Sequence, residues 1–254
     1  MLYGLYLSAQ GAAAQSTRLD VIANNLANAS THGFKRDLAV FMAHRPHDLE
    51  YGAAGDPPGN LNDSTGGVSP AGVLTDFSTG PIVPTGGTWD VALAGEGFLR
   101  VSDGQQEFLT RDGRLTVNAQ GELVTGEHGH RLLAARGGRI LVPSDATEIE
   151  IASDGTIYAG TPAERSPIGQ LDLVTPQSLT QLEKHGRNLY RAAGPLLPTG
   201  NAQVRHRFLE ASGTQPVTEM MHMIEASRAL ETNINMIRFQ DEALGRLLQA
   251  IPRR

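Results

Sequence analysis

Cysteine is absent from this 254-residue chain, so disulfides, thiolate metal sites and a cysteine nucleophile are all excluded. Aromatic residues are scarce, at 5% with a single Trp, which leaves few platforms on which bases or sugar rings could stack. The formal charge is −6 and the 21 Lys and Arg are scattered, so a phosphate-neutralising nucleic-acid surface is not expected. No apolar run approaches the roughly 20 residues of a membrane span. The first basic residue is Arg18, and Gln10 and Gln15 interrupt the apolar start, so a cleaved secretory signal peptide is not expected either. Also missing are an H-E-x-x-H zinc motif, a G-x-S-x-G elbow and a Walker-type phosphate loop.

What the chain does have is a heptad pattern at both ends. Leu2, Leu5, Ala9, Ala12, Ser16, Leu19, Ala23 and Leu26 step by three and four without a break, as in the seam of a coiled coil. Val21 and Ile22 widen the stripe, and Gly33 is placed to cap the helix. Asn24, Asn25 and Asn28 fall late in this run. They either face water near its end or bond across a helix interface and set its register.

At the other end Met220, Met223, Ser227, Leu230, Ile234, Ile237, Asp241, Leu244, Leu248 and Ile251 repeat the same steps, and Val217, Met221 and Ile224 add a second apolar line. Pro216 suits a first helical turn and Pro252 a helix end. Pairs such as Glu225 with Arg228 and Glu242 with Arg246 decorate the flanks.

Between the helices the pattern changes. Residues 44–73 are rich in Gly, Pro, Asn, Asp and Ser and read as a long flexible loop. From Val91 to Tyr190 short alternating runs are separated by Gly turns. Leu115 and Val117 read as one hairpin with Leu123 across Asn118 to Gly121; Ile149 and Ile151 read as another with Ile157 across Asp154-Gly155. Gly95-Glu96-Gly97 reads as a turn between strands, and His128 with His130 as a solvated hairpin tip without a third metal ligand.

The expected fold is α+β: long N- and C-terminal helices pairing as a coiled-coil-like stalk, with an inserted antiparallel β-rich domain. The expected boundaries are 1–36 for the first helix, 37–77 for the loop, 78–192 for the β-domain, 193–215 for a linker and 216–254 for the last helix. Catalytic, cofactor and metal sites are not expected. The expected interface is one of assembly, made by Leu2, Leu5, Ala9, Ala12, Leu19, Ala23, Asn24, Asn25, Leu26 and Asn28 on the first helix. On the second it is made by Val217, Met220, Met223, Ile224, Leu230, Ile234, Ile237, Leu244 and Leu248.

Three segments carry a family resemblance. Leu19 to Asn28, followed by Thr31 and Gly33-Phe34-Lys35-Arg36, resembles the amino-terminal signature of the bacterial flagellar rod, hook and hook-associated proteins. Asp90 to Phe98, Thr110-Arg111-Asp112-Gly113 and Asn118 to Leu123 resemble their internal β-domain motif. Leu209-Glu210-Ala211-Ser212, Val217 to Met220 and Ile224 to Glu231 resemble their carboxy-terminal helix. Thr31-His32-Gly33, Phe98-Leu99 and Ser212-Gly213-Thr214-Gln215 depart from the usual forms. The length and single β-insertion are similar to a rod protein, proximal in preference to distal, rather than to the longer hook protein. The resemblance implies a structural subunit that interacts with itself, with other rod proteins and with the flagellar type III export machinery. It implies export without a cleaved signal, assembly into the periplasmic rod of the basal body, and terminal helices that line the tube. A glycan-binding or glycan-hydrolysing protein, or a coiled-coil adaptor that forms no filament, are the competing readings.

Overall fold

A computed structural model of the chain describes residues 2–44, 66–135, 137–144, 146–161, 164–186, 188–199 and 202–250, with only the backbone of Leu2 and Ala250. The chain is α+β, with two helices and a β-rich domain. It divides into two compact units: Met1–Ala27 with Asp37–Asp76 and Gln215–Arg254, and Asn28–Arg36 with Phe77–Thr214.

The first unit holds α1 (Leu2–Ala27), the strands β1 (Asp37–Ala43) and β2 (Val68–Thr75), and α2 (Pro216–Ala250). α2 begins at Pro216, whose missing N–H is no loss in a first turn, and Glu219 lies against the positive end of the helix dipole. The two helices meet at glycines. A Cβ on Gly4 would lie 3.0 Å from Gln240 Nε2, and one on Gly11 would lie 2.9 Å from Asn233 Oδ1. Numbers rise along α1 as they fall along α2, so the helices run antiparallel.

Burial along α1 is uneven over the expected seam. Ala14, Ile22 and Asn25 are the buried residues of α1, whereas Ala9 and Ala23 are exposed. At Gly4 and Gly11 the α1 backbone lies close to α2 side chains, a feature that an apolar pattern does not register. The helix also ends at Ala27, well before Gly33, so Gly33 is not its cap.

The expected loop 37–77 instead begins and ends in strands that pair with each other. β1 and β2 lie antiparallel from Asp37↔Thr75 to Ala43↔Val68, with an irregularity at Val40/Phe41. The apolar run Leu38 to Ala43 and the residues Val68, Val73 and Leu74 supply side chains suited to that pairing. The stretch itself, 45–65 with His47, lies outside the described residues, while the amide of His44 closes the pair on Gly67 O at 2.9 Å.

The late asparagines follow neither reading in full. Asn25 is 1% exposed and bonds a strand rather than a helix. Its Nδ2 donates to Asp37 O at 2.8 Å and its Oδ1 accepts from the Asp37 amide at 2.9 Å, as a neighbouring strand would. Asn28 accepts through Oδ1 from the Thr31 hydroxyl at 3.2 Å, and Asn24 is exposed. Asn25→Ala removes both hydrogen bonds to Asp37 from a buried place. It should cost about 2–4 kcal/mol in a urea titration, whereas an exposed Asn24→Ala should move stability by less than about 0.5 kcal/mol.

The second unit is almost all β. Its strands are β3 (Ile82–Pro84), β4 (Val91–Ala94), β5 (Phe98–Ser102), β6 (Glu107–Thr110), β7 (Leu115–Val117), β8 (Leu123–Thr125), β9 (Arg131–Leu132) and β10 (Glu148–Ile151). β11 (Thr156–Thr161), β12 (Glu164–Gln170), β13 (Leu173–Pro176), β14 (Leu182–Lys184), β15 (Leu189–Ala192), β16 (Leu196–Pro198), β17 (Gln203–His206) and β18 (Phe208–Glu210) follow. The main sheet runs β14-β15-β6-β5-β9-β8-β7, with β13 and β16 branching from β5. A second sheet is β10-β11-β12. Both expected hairpins form, β7 with β8 and β10 with β11. Their turns are built as their sequences imply: Asn118 Oδ1 accepts from the Glu122 amide at 2.8 Å, and Asp154 Oδ1 from the Thr156 amide at 3.0 Å.

The expected linker 193–215 contains strands: β16 pairs β13, β17 pairs β4 and β18 pairs β3. Val204 and Leu209 each turn one side chain into the interior, enough to hold a strand whose partner lies far away in sequence. The core gathers Val91, Leu93, Leu99, Leu123, Ile157 and Leu171 among others, and Phe77, Phe98 and Tyr190 form an edge-to-face aromatic trio beside it.

Candidate assembly interface

Burial sorts the expected interface residues into three groups. On α1, Leu5, Ala12, Leu19 and Leu26 are half-buried, Ala9, Ala23 and Asn24 are exposed, and Asn25 and Asn28 are buried. Nothing is described of the Leu2 side chain. On α2, Met223, Leu230, Ile237 and Leu244 are half-buried. Val217, Met220, Ile224, Ile234 and Leu248 are exposed.

The exposed group is concentrated at the start of α2. Val217 is 72% exposed, Met221 59% and Ile224 55%, and three- and four-residue steps place them on one helix face. Phe239 at 66% and Leu248 at 70% extend the apolar exposure toward the end. Tyr3 and Tyr6 on α1, and Met42, Val73 and Leu74 on the β1–β2 pair, are exposed within the same unit. Monomeric proteins rarely leave so many large apolar side chains in water unless another surface covers them. The periodicity of the sequence marks the exposed α2 face, whereas the exposed apolar residues of β1 and β2 lie where Gly and Pro read as loop.

Polar groups in this unit are also incompletely used. Gln10, Gln15 and Gln240 each keep a buried side-chain oxygen without a hydrogen-bond partner among the described residues. Of the expected charge pairs, Glu242 and Arg246 meet at 3.8 Å, fully in solvent, while Glu225 faces His222 at 3.5 Å.

The β-domain offers little chemistry. Its acidic motif residue Asp112 is buried, bonded by the Arg114 amide at 3.0 Å and by Asn188 Nδ2 at 3.0 Å. Burial pushes the Asp112 carboxyl above the usual carboxylate range, partly offset by the Arg114 amide. A raised folded value means that the folded chain holds this proton more tightly than the unfolded chain. The contribution to stability is therefore full below the ordinary Asp value, near pH 4, and is lost as the pH rises through the folded value. Asn188 Oδ1 has no partner among the described residues, so an amide at 112 has an acceptor waiting once Asn188 turns over. Asp112→Asn should thus hold its stability better than the parent as the pH is raised from about 4 to 7, followed by urea titration at each pH. A parent and variant with parallel profiles would contradict this.

Among the described residues no three His, Asp or Glu are arranged to hold a metal, and no helix is long and apolar enough to cross a membrane. Two terminal helices with exposed apolar residues and an inserted β-rich domain make the frame of a structural subunit. Similarity to known proteins gives the class its place. Residues 5–35 match the family described as "Flagella basal body rod protein", residues 92–159 the "Flagellar hook protein FlgE/F/G D1 domain", and residues 205–250 the "Flagellar basal body rod FlgEFG protein C-terminal". The chain is 34% identical to the flagellar basal-body rod protein FlgG of Bacillus subtilis, over 98% of both chains. It is 34% identical to FlgF of Caulobacter vibrioides, over 86% of this chain and 85% of that one. It is 33% identical to FlgG of Buchnera aphidicola from Acyrthosiphon pisum, over 98% of this chain and all of that one. The chain belongs to the flagellar basal-body rod protein family. It is a structural component of the rod, not an enzyme. Identity is the same, 34%, to relatives bearing the FlgF and FlgG names, so the expected preference for a proximal position gains nothing from it.

Proposed function

We propose that the chain is an axial subunit whose α1 and α2 pair as an antiparallel coiled-coil-like stalk, and whose copies stack into the tubular shaft that carries motor torque to the hook. The observation that carries this reading is the uncovered apolar face of Val217, Met221 and Ile224 on α2. The heptad register supports the stalk. Gly4 and Gly11 are seven apart, as are the Gln240 and Asn233 that they face. The same step leads on α2 to Ala226 and Glu219, the two buried residues of that helix among those described. A step of seven kept on both helices holds one seam toward its partner.

The rest of the apolar surface is then available to neighbours. Head-to-tail contacts whose rotation does not close on one ring build a helical tube. Ala9, Ala23, Val217, Met220, Ile224, Ile234 and Leu248 form the subunit-to-subunit surface, and the half-buried Leu5, Leu19, Met223, Leu230, Ile237 and Leu244 belong to the stalk. The subunit reaches the periplasm through the flagellar export apparatus without a cleaved signal, and meets other rod proteins there. Expression of the chain in cells that lack their own corresponding rod subunit should restore swimming and intact basal bodies. Secreted but unassembled protein in those cells would contradict the reading.

A further inference from the structure

The chain passes between its two units four times, at 27/28, 36/37, 76/77 and 214/215. Within the β-domain unit, the runs beside the last three of these crossings meet at one buried cluster of charges. Lys35 Nζ donates to Glu210 Oε1 at 2.5 Å and to Ser78 O at 2.7 Å. The Gly80 amide donates to the same Glu210 oxygen at 2.8 Å. The other oxygen, Glu210 Oε2, accepts from Arg111 Nη1 at 3.3 Å, and Arg111 also donates to Leu93 O at 3.3 Å and Gly95 O at 2.8 Å. The three charged side chains are only 1–3% exposed.

Two backbone bonds lie beside the cluster. The Gly33 amide donates to Glu210 O at 2.9 Å, and the Gly213 amide to Phe34 O at 2.9 Å. Both partners advance along the chain together, so the inbound run 28–36 and the outbound run 208–214 lie side by side in the same direction, as parallel strands do. Gly33 fits here because its φ is +67° and a Cβ would sit 2.4 Å from the Arg111 carbonyl carbon. Lys184 covers the join, 4.0 Å over the Phe34 ring and bonded to Lys35 O at 3.2 Å.

Buried ion clusters are a weak source of equilibrium stability, because apolar side chains of similar size often do as well. They do resist displacement. Sliding run 28–36 along run 208–214 pulls Lys35 or Arg111 off Glu210 and leaves a bare charge in a dry interior. Tension applied in opposite directions at Asn28 and Thr214 drives such a slide, because it pulls parallel neighbours from opposite ends. Both backbone bonds and both ion pairs are then strained at once instead of opening one after another.

We infer that Lys35, Glu210 and Arg111, with the paired runs beside them, form a force-bearing clamp that keeps the β-domain closed when the terminal helices are pulled. The torque to be resisted rests on the rod reading above. The test is to stretch the full chain by its termini in optical tweezers, comparing the parent with the triple variant Lys35→Met, Arg111→Met, Glu210→Leu. The clamp predicts a Tm within a few degrees of the parent and an opening force for the β-domain lowered by about half, since forced opening follows the barrier and not the equilibrium. Ile157→Val, in the main core, should lower the Tm with little change in opening force, and Lys35→Arg should retain the parental force. Where the triple variant does not fold, Lys184→Met strips the half-buried cover and should lower the force by a smaller amount. An unchanged opening force in the triple variant, or in Lys184→Met if that is the one that folds, overturns the clamp. The rod reading is judged separately by whether the parent chain restores swimming, so one can fail without the other.

Discussion

Val217→Asp with Met221→Asp is expected to abolish swimming in cells that depend on this chain, while the isolated subunit keeps its fold. Both side chains are mostly in water in the single copy, at 72% and 59% exposure, so their loss removes almost no internal packing. Aspartate near the start of α2 also suits the positive end of the helix dipole, so stability should change by less than about 0.5 kcal/mol. Assembly is a different matter. Covering this face with a neighbour would force two carboxylates per subunit out of water, each at a cost of several kcal/mol after relaxation. Basal bodies should therefore stop short at this subunit, and circular dichroism of the purified variant should match the parent. Swimming cells with normal rods would remove the α2 face from the interface.

Gly113→Ala is expected to be among the most damaging single changes in the β-domain. A Cβ at 113 would fall 1.7 Å from Val91 O and 2.9 Å from Val91 Cγ2. Val91 is completely buried, and its amide donates to Gly113 O at 3.0 Å, so the two backbones are already held face to face. Relief requires β4 to move away from the core that Leu93 and Val91 help to form. Overpacking of this kind costs about 3 kcal/mol or more, which lowers the Tm of a chain of this size by roughly 6–12 °C. Gly104→Ala is the useful contrast. Its φ of 101° is unfavourable, but no atom lies within 4 Å of the added Cβ, so only backbone strain of about 1–2 kcal/mol is incurred. Equal effects of the two substitutions would show that the close approach at Gly113 is not what the fold requires.

Parts of this structure encoded by neighbouring residues were legible in the sequence. Asn118 and Asp154 each bond amides two to four residues ahead, and both hairpins could be read from those turns. Pro216 marked the first turn of α2. Parts that depend on distant partners were not legible. The run 203–210 has no pattern of its own beyond two buried apolar residues, and it becomes strand because β4 and β3 lie more than 100 residues earlier. The same limit hid the clamp, whose members are spread from Lys35 to Glu210.

The close approach of the two helices carries a part that apolar spacing cannot show. Gly4 and Gly11 of α1 lie against Gln240 and Asn233 of α2, beside the apolar stripe of Leu2, Leu5, Ala9 and Ala12. A contact that depends on the absence of a side chain leaves no hydrophobic signal. Leu5, Leu19 and Leu26 of the leucine stripe are half-buried in the single copy. Asn25, for which the sequence left open water or a helix interface, bonds a strand instead, and a strand edge at Asp37 cannot be foreseen from the helix that binds it.

Methionine oxidation footprinting tests the assembly account most directly. Met220, Met221 and Met236 are 47–59% exposed in the single chain and should react readily with peroxide as free subunit. In purified rods Met220 and Met221 should be protected by about tenfold or more, as burial of a thioether excludes the oxidant. Equal oxidation of these two residues in free subunit and in rods would contradict the claim that this helix face is covered by assembly.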